Sequence, residues 1–318
     1  MVQGLGKAEK SVFSGKEIDY TKDQISSRNI LEAVQNIFFR SREIFRVSST
    51  MLDAFYFCPY AFFLQRVLSL QENQYEISFK DHQLIGRLIH DCFFELFQFI
   101  KETTVSFDPG KTGRYRDKIP ELVSVVMREY EGKGLTMVSP VWEEVRGYLV
   151  THLCTFLDVE AENFPYFTLE SAEETYDHTL EDCGVRIEGR IDRISVHDDR
   201  RCIVDYKKNY TTSPSRLNPE EGVPESFQLF FYILLAESRG EKVSSASYYN
   251  VTRDRYVTVF SDPPGKHCLS RDRVDEITEQ MKTYIVNMKN RLQSGDFSRE
   301  DCRSCSFRNV CRVQYTVR

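Results

Sequence analysis

The feature of this sequence that most constrains its fold is a change in the spacing of apolar residues at Thr168. Before Thr168, apolar residues recur at helical spacing, most densely over residues 82–100. After it, apolar and polar residues alternate in three successive segments, at 174–180, 185–194 and 201–207. A period of two is typical of half-buried strands, whereas a spacing of three and four is typical of amphipathic helices. We therefore expect an α/β fold in which helices flank a sheet.

Two carboxylates and a lysine lie where two of these strands are expected to end. Asp205 and Lys207 are two residues apart, so their side chains face the same side of the strand. If this strand forms a hairpin with the preceding one, Asp192 converges on the same point. Two carboxylates and a backbone carbonyl are hard oxygen ligands suited to Mg²⁺ or Mn²⁺, and a nearby lysine can orient or help deprotonate water, or offset charge on a phosphate. Because Asp-x-Lys also occurs on solvated strand faces, the pattern alone leaves that alternative open.

Composition and charge exclude several classes of protein. Of the 318 residues, 41% are apolar and 13% aromatic, which is enough for a sizeable core and excludes global disorder. The formal net charge is −6, so contact with nucleic acid is expected in a local patch or a metal-lined cleft. No apolar run approaches the roughly 18 residues that span a bilayer, and residues 1–20 lack the apolar core of a signal peptide. We expect a cytoplasmic protein with no membrane contact.

Three of the nine cysteines lie close together, in the pattern Cys302-x2-Cys305-x5-Cys311. In a reducing compartment such a cluster favours a metal site over disulfides. Three thiolates leave a four-coordinate site one ligand short, and Cys58 is the natural candidate for the fourth. A C-x2-C pair also serves structural zinc, but the C-x5-C spacing and the distant Cys58 favour an iron–sulfur cluster.

Six motifs, in one order along the chain, resemble those of the PD-(D/E)xK nuclease superfamily, in its RecB-like branch with an iron–sulfur cluster. The motifs are Gly86-Arg-Leu-Ile-His90, Gly189-Arg-Ile-Asp-Arg193, Val204-Asp-Tyr-Lys207, Gln228-Leu-Phe-Phe-Tyr232, Cys58-Pro-Tyr60 and the three C-terminal cysteines. This branch includes the nuclease part of AddB-type helicase–nuclease subunits, which is the nearest match, as well as CRISPR-associated exonucleases and exonuclease V. The resemblance implies a restriction-endonuclease-like core, with a mixed central sheet flanked by helices, a helical insertion and a C-terminal Fe–S staple.

The resemblance also implies roles for individual residues. The residues that would bind Mg²⁺ or Mn²⁺ are His90, Asp192, Asp205 and, through its carbonyl, Tyr206. The residues that would serve catalysis, with Lys207 as the catalytic lysine, are Asp192, Asp205, Lys207, Gln228 and Tyr232. The residues that would bind a 4Fe–4S cluster are Cys58, Cys302, Cys305 and Cys311. Some relatives place a further acidic residue one strand earlier, and here Glu174 and Glu188 both remain candidates.

The expected organisation is a helical extension over residues 1–45 and a nuclease domain over residues 46–318. Within the latter we expect a helical insertion at about 101–167 and the Fe–S motif at 302–311, completed by Cys58. One amphipathic helix is expected at 29–46, on the spacing of its apolar residues.

These features predict a metal-dependent DNA nuclease, an exonuclease acting on single-stranded ends in repair, recombination or defence. Its partners would be DNA and a helicase or CRISPR adaptation proteins. Because the chain is acidic, DNA is expected in a narrow channel where Tyr206 and Tyr232 stack on unpaired bases. One alternative is a non-catalytic DNA-binding or scaffold subunit of a helicase–nuclease or CRISPR adaptation complex, which the intact Asp192, Asp205 and Lys207 disfavour. A zinc-stapled interaction domain is the other.

Overall fold

A computed structural model of the chain describes residues 28–39, 44–70, 82–217, 223–240 and 242–299, together with Cys305, Phe307 and Cys311. The helices within these residues are α1 Arg28–Phe38, α2 Ser49–Phe57, α3 Pro59–Arg66, α4 His82–Thr103, α5 Thr112–Gly132, α6 Ser139–Asn163, α7 Pro214–Leu217, α8 Gln228–Glu237 and α9 Arg271–Ser294. The strands are β1 Phe45–Val47, β2 Thr168–Leu180, β3 Val185–His197, β4 Arg200–Lys207, β5 Val243–Asn250 and β6 Arg255–Ser261.

The long strand β3 organises a six-stranded mixed sheet. Strand β2 pairs antiparallel with β3 along most of its length. Strand β1 pairs parallel with one end of β3 and β4 pairs antiparallel with the other. Strand β5 then lies parallel to β4, and β6 antiparallel to β5. The mixed sheet and its flanking helices confirm the predicted α/β architecture, and the tight turn between β3 and β4 is the expected hairpin.

Each face of the sheet is covered by its own hydrophobic core. Ile203 of β4 lies in the core that helices α1, α2, α3, α8 and α9 build on one face. Its neighbour Val204 lies in the core that α4, α5 and α6 build on the other face, since successive residues of a strand point to opposite sides. None of the helices among the described residues is both long and apolar enough to cross a membrane.

The start of the nuclease segment shows how local sequence sets element boundaries. Ser48 caps α2, where its hydroxyl accepts a hydrogen bond from the backbone N–H of Met51 at 3.3 Å. Pro59 occupies the first turn of α3, where its missing N–H has no helical partner to lose. Cys58 lies between the two helices in extended conformation. Both helix starts agree with the sequence.

Two boundaries differ from expectation, and in both cases pairing across the sheet is the reason. The helix expected at 29–46 ends at Phe38, because Phe45–Val47 instead pairs with β3 as β1. Asp192 does not end its strand either. Strand β3 continues to His197, because its last residues pair with β4. Asp192 therefore lies well inside a sheet strand.

The helices of the expected insertion pack directly on the sheet through a buried ion pair. Glu160 of α6 and Arg193 of β3 are both almost fully buried, with 3.2 Å between Oε2 and Nη1. Arg193 also donates to the hydroxyl of Tyr256 at 3.0 Å. Its guanidinium lies over the rings of Phe97 and Phe167, 4.9 and 5.1 Å from their centroids. The domain boundaries themselves stay a prediction.

Candidate active site

Three potential metal ligands, each from a different element, meet at the centre of the sheet. His90 from α4, Glu173 from β2 and Asp192 from β3 place one ligand atom each within 4.8 Å of the others. Nδ1 of His90 lies 3.0 Å from Oε1 of Glu173 and 3.4 Å from Oδ2 of Asp192. Within the described part of the chain this is the only group of three or more such ligands.

A second chain of contacts runs from Asp205 to Tyr232. Nζ of Lys207 lies 2.7 Å from Oδ2 of Asp205 and donates to Oε1 of Gln228, also at 2.7 Å. The amide nitrogen of Gln228 in turn donates to the hydroxyl of Tyr232 at 2.8 Å. The lysine is thus held on one side by a carboxylate and on the other by an amide whose own orientation is fixed.

The hairpin register joins these two groups. Arg193 pairs with Val204, so Asp192 and Asp205 are the next residues on the two antiparallel strands. The backbone N–H of Tyr206 donates to Oδ2 of Asp192 at 2.8 Å, which fixes the position of that carboxylate. The structure thus brings together the predicted residues His90, Asp192, Asp205, Lys207, Gln228 and Tyr232. Metal binding through the carbonyl of Tyr206 stays a prediction.

Helix α8, which carries Gln228 and Tyr232, is positioned by two further contacts. The carboxylate of Asp53 accepts hydrogen bonds from the backbone N–H of Phe227 at 2.7 Å and from Ser226 Oγ at 3.0 Å, at the start of α8. On the sheet side, a Cβ at Gly189 would lie 3.0 Å from Cδ1 of Leu235. Glycine at this position therefore allows α8 to approach β3 closely.

The charges in the site shift the protonation of its members. Burial opposes the charged form of His90, but the carboxylates of Asp192 and Glu173 outweigh it and raise the pKa of the imidazole well above its usual value. Burial also opposes ionisation of Asp192, yet His90 and Lys207 lower its pKa. For Asp205 burial is the larger effect and raises the pKa to about 6. Asp205 and Asp192 outweigh burial at Lys207 and raise its pKa.

Glu173 is the site residue that sequence reasoning missed. The two candidates for an acid one strand earlier lie elsewhere, since Glu174 pairs with Arg239 at 3.2 Å and Glu188 with Arg46 at 2.9 Å. Strand β2 starts at Thr168 rather than at Glu174, and Glu173 has a φ of +52°, which is uncommon for a residue other than glycine.

A signal for Glu173 was nevertheless present in the sequence. Extending the alternation back along the chain puts it in phase with Leu169 and Ser171, both of which are buried. The flanking pairs, Ala172 with Arg193 and Glu174 with Ile191, place it opposite Asp192.

The expectation that Tyr206 and Tyr232 stack on bases is wrong, because neither ring presents a face to solvent. Tyr206 is buried and stacks on Phe93, with 4.1 Å between the ring centroids. Tyr232 is buried as well and is engaged by Gln228. Both rings therefore support the site from within the core.

Of the four cysteines assigned to a cluster, three are described, and Cys302 lies outside the described residues. Cys58, Cys305 and Cys311 are all buried. Their sulfur atoms do not all lie within 4.8 Å of one another, and a cluster on them stays a prediction.

The fold and this arrangement of side chains define a nuclease, and comparison with known proteins agrees. Residues 46–312 match the PD-(D/E)XK nuclease superfamily, and the chain belongs to it. This confirms the resemblance drawn from the motifs.

One relative supports the RecB-like branch. The B-type subunit of the ATP-dependent helicase/deoxyribonuclease of Streptococcus mutans serotype c (strain ATCC 700610 / UA159) is 28% identical over 205 residues, which are 64% of this chain and 18% of that protein. The matched part of the chain thus spans less than a fifth of that relative's length.

Proposed function

We propose that this chain is a metal-dependent deoxyribonuclease that hydrolyses phosphodiester bonds as an exonuclease on single-stranded DNA ends. The observation that carries the proposal is the convergence of His90, Glu173 and Asp192 beside the pair formed by Asp205 and Lys207. A chain that had kept the fold as a scaffold would be free to lose one of these groups, and the complete set favours turnover.

The side chains of the site fit a divalent cation. Oδ1 of Asp205 is buried and has no hydrogen-bond donor among the described residues, which is costly for a carboxylate unless a cation lies close to it. The carboxylates supply the hard oxygen ligands that Mg²⁺ and Mn²⁺ prefer. We assign the ion to His90, Asp192, Asp205 and the carbonyl of Tyr206, with Glu173 as a further carboxylate. Such an ion, when bound, polarises a phosphoryl oxygen and lowers the pKa of water.

Lys207 serves as a fixed positive charge in this proposal. Its raised pKa keeps the ammonium protonated at neutral pH, so it has no free site to accept a proton. We therefore assign it to stabilising the negative charge that develops on the phosphate, rather than to deprotonating water. Gln228 and Tyr232 hold the ammonium in place through their hydrogen bonds.

Two substitutions test the site directly. Asp205→Asn and Lys207→Met are expected to lower Mg²⁺- or Mn²⁺-dependent cleavage of an end-labelled oligonucleotide by about 10²–10³-fold or more, while the affinity for the oligonucleotide is retained. Lys289→Met is the matched control, because Lys289 is also partly buried but bonds the carbonyl of Cys183 at 2.8 Å, on another part of the sheet. Cleavage near the wild-type rate in either site variant would contradict the assignment.

The preference for single-stranded ends has its own test. The net charge of −6 disfavours broad contact with a duplex, and the name of the relative joins a deoxyribonuclease to a helicase, whose activity would supply single strands. We expect linear single strands to be degraded faster than blunt duplex, and covalently closed single-stranded circles to resist. Rapid cutting of the circles would show an endonuclease. The proposed partner is accordingly a helicase, in repair, recombination or defence.

We also propose a 4Fe–4S cluster held by Cys58, Cys302, Cys305 and Cys311. In support, the chain before the cysteine cluster returns to helix α3, which begins beside Cys58. The backbone N–H of Tyr60 donates to the carbonyl of Ser298 at 3.2 Å. The rings of Phe63 and Phe297 also pack together, with their centroids 4.8 Å apart.

Metal analysis of anaerobically purified protein tests the cluster. We expect iron and sulfide, and their loss together with lowered thermal stability in Cys305→Ser but not in the control Cys154→Ser. Zinc without iron or sulfide would overturn this proposal and leave the nuclease site unaffected.

A further inference from the structure

A cleft of about 640 Å³ opens directly beside the proposed catalytic lysine. Lys207 and Lys208 line it, together with Phe57 at the end of α2 and Tyr210 in the loop after β4. Its volume is within the range of about 300–1,000 Å³ in which proteins bind small ligands, and a nucleotide is of that size. A strand whose phosphate reaches Lys207 would therefore continue into this cleft.

Two aromatic rings in the cleft are exposed to an unusual degree. Phe57 is 58% exposed and Tyr210 is 57% exposed, whereas Tyr248 in the same lining is fully buried. Phenylalanine is among the residues most often found buried, and exposed aromatic residues on a concave surface indicate binding. Their positions also differ from those expected from sequence, because the rings nearest the metal ligands are the buried ones.

The ring of Tyr210 is held ready for a ligand. Its hydroxyl donates to the carboxylate of Glu225 and accepts a hydrogen bond from Nη1 of Arg216 at 3.1 Å. These contacts fix the hydroxyl end of the ring, while more than half of the side chain remains open. Binding to a preoriented ring costs less conformational entropy than binding to a mobile one.

The charge of the cleft selects an anionic ligand. Glu225 is the only acidic residue in the lining, and Nη1 of Arg216 lies 3.5 Å from its carboxylate. The two consecutive lysines therefore leave the lining with an excess of positive charge. Cationic side chains combined with exposed aromatic faces are typical of surfaces that bind single-stranded nucleic acid, where the phosphates meet the cations and the bases stack on the rings. A duplex keeps its bases stacked on one another and would leave these rings unused.

We propose that Phe57 and Tyr210 form a base-stacking subsite for the single strand that enters the active site. This inference rests on the proposed function for the identity of the strand. It adds the two residues that distinguish unpaired bases from a duplex, and both are positioning residues that take no part in bond cleavage.

Binding without metal tests this subsite separately from cleavage. The probe is a fluorescent oligothymidylate of about 12 nucleotides, within the range of single-strand site sizes, measured by anisotropy in EDTA. Its partner is an oligomer of equal length with tetrahydrofuran in place of every nucleoside, which keeps the phosphates and lacks the bases. For Phe57→Leu and Tyr210→Ala, we expect affinity for oligothymidylate to fall by about 5- to 150-fold, the range for loss of one stacked base. Affinity for the abasic oligomer should be unchanged.

Three further variants complete the design. Phe57→Trp and Tyr210→Phe keep an aromatic face and are expected to retain affinity for oligothymidylate. Tyr166→Ala is the matched control, because Tyr166 is 65% exposed but does not line the cleft. Its affinity for both oligomers should equal that of the wild type.

The outcomes separate this inference from the proposed function. Wild-type affinity of Phe57→Leu and Tyr210→Ala for oligothymidylate would overturn the subsite, even if the protein cleaves DNA as proposed. Equal losses for oligothymidylate and the abasic oligomer would overturn it too, since stacking requires bases. A selective loss for oligothymidylate supports the subsite, even if the wild-type protein cleaves nothing and the proposed function fails.

Discussion

Replacing Glu173 by glutamine tests whether the acid that the structure adds to the site takes part in metal binding. Glutamine has nearly the same shape and can still accept a hydrogen bond from Nδ1 of His90, which lies 3.0 Å from Oε1 of Glu173. The substitution removes the negative charge and little else. The adjacent Glu174 is a matched control, because its carboxylate points to the surface and pairs with Arg239.

The burial of the two side chains sets the expected magnitudes. The side chain of Glu173 is only 7% exposed, so water cannot replace the lost charge. Substituting a group that orients or supplements metal ligands typically costs about 10–100-fold in metal affinity or activity, or about 1.4–2.8 kcal/mol. We expect the upper part of this range for Glu173→Gln. The Glu174–Arg239 pair is half-exposed, and such surface pairs contribute about 0–1 kcal/mol to stability.

Calorimetric titration with Mn²⁺ provides the assay, followed by cleavage of a labelled single strand at several Mn²⁺ concentrations. Glu173→Gln should require more Mn²⁺ for half-maximal cleavage, and Glu174→Gln should behave as the wild type. The reasoning would be refuted if Glu173→Gln bound Mn²⁺ and cleaved as the wild type does, or if both variants lost equally.

Two further predictions concern stability and pH. Glu160→Gln should lower the free energy of unfolding by about 3–5 kcal/mol, because it leaves the Arg193 guanidinium buried without its partner charge. Urea denaturation should show much of this loss recovered in Glu160→Gln/Arg193→Met, and wild-type stability of the single variant would contradict the argument. Affinity for Mn²⁺ should fall as the pH drops through about 6, because burial raises the pKa of Asp205 to about 6 and a bound proton competes with the ion. Titrations at pH 7 and pH 5 would check this, and equal affinities would contradict it.

Most elements of the fold could be predicted because their signals are local. The capping hydroxyl of Ser48 and the fixed φ of Pro59 mark helix starts wherever the chain goes afterwards. The helix over residues 82–100 and the hairpin at 197–200 likewise depend on periodicity and turn residues within a short window. The segment 45–47 had no such signal, since only its pairing with β3 makes it a strand.

The candidate site divides in the same way. Asp205 and Lys207 share a face because they are two apart on one strand, and Asp192 joins them because a hairpin is a local structure. Glu173 could not be placed with certainty, because its side depends on where β2 starts and on the positive φ at that residue. A shift of one residue in register moves a side chain to the other face of a sheet.

The sequence by itself determined the α/β class, the superfamily motifs and the identity of the residues that carry charge in the site. The tertiary structure decided which acid joins His90 and Asp192, and which aromatic rings face the cleft. The physical reason is that burial and convergence depend on contacts between residues far apart in the chain. Tyr206 is buried because Phe93 of a distant helix covers its ring, whereas Phe57 remains exposed at the end of its own helix. No local pattern distinguishes these two rings.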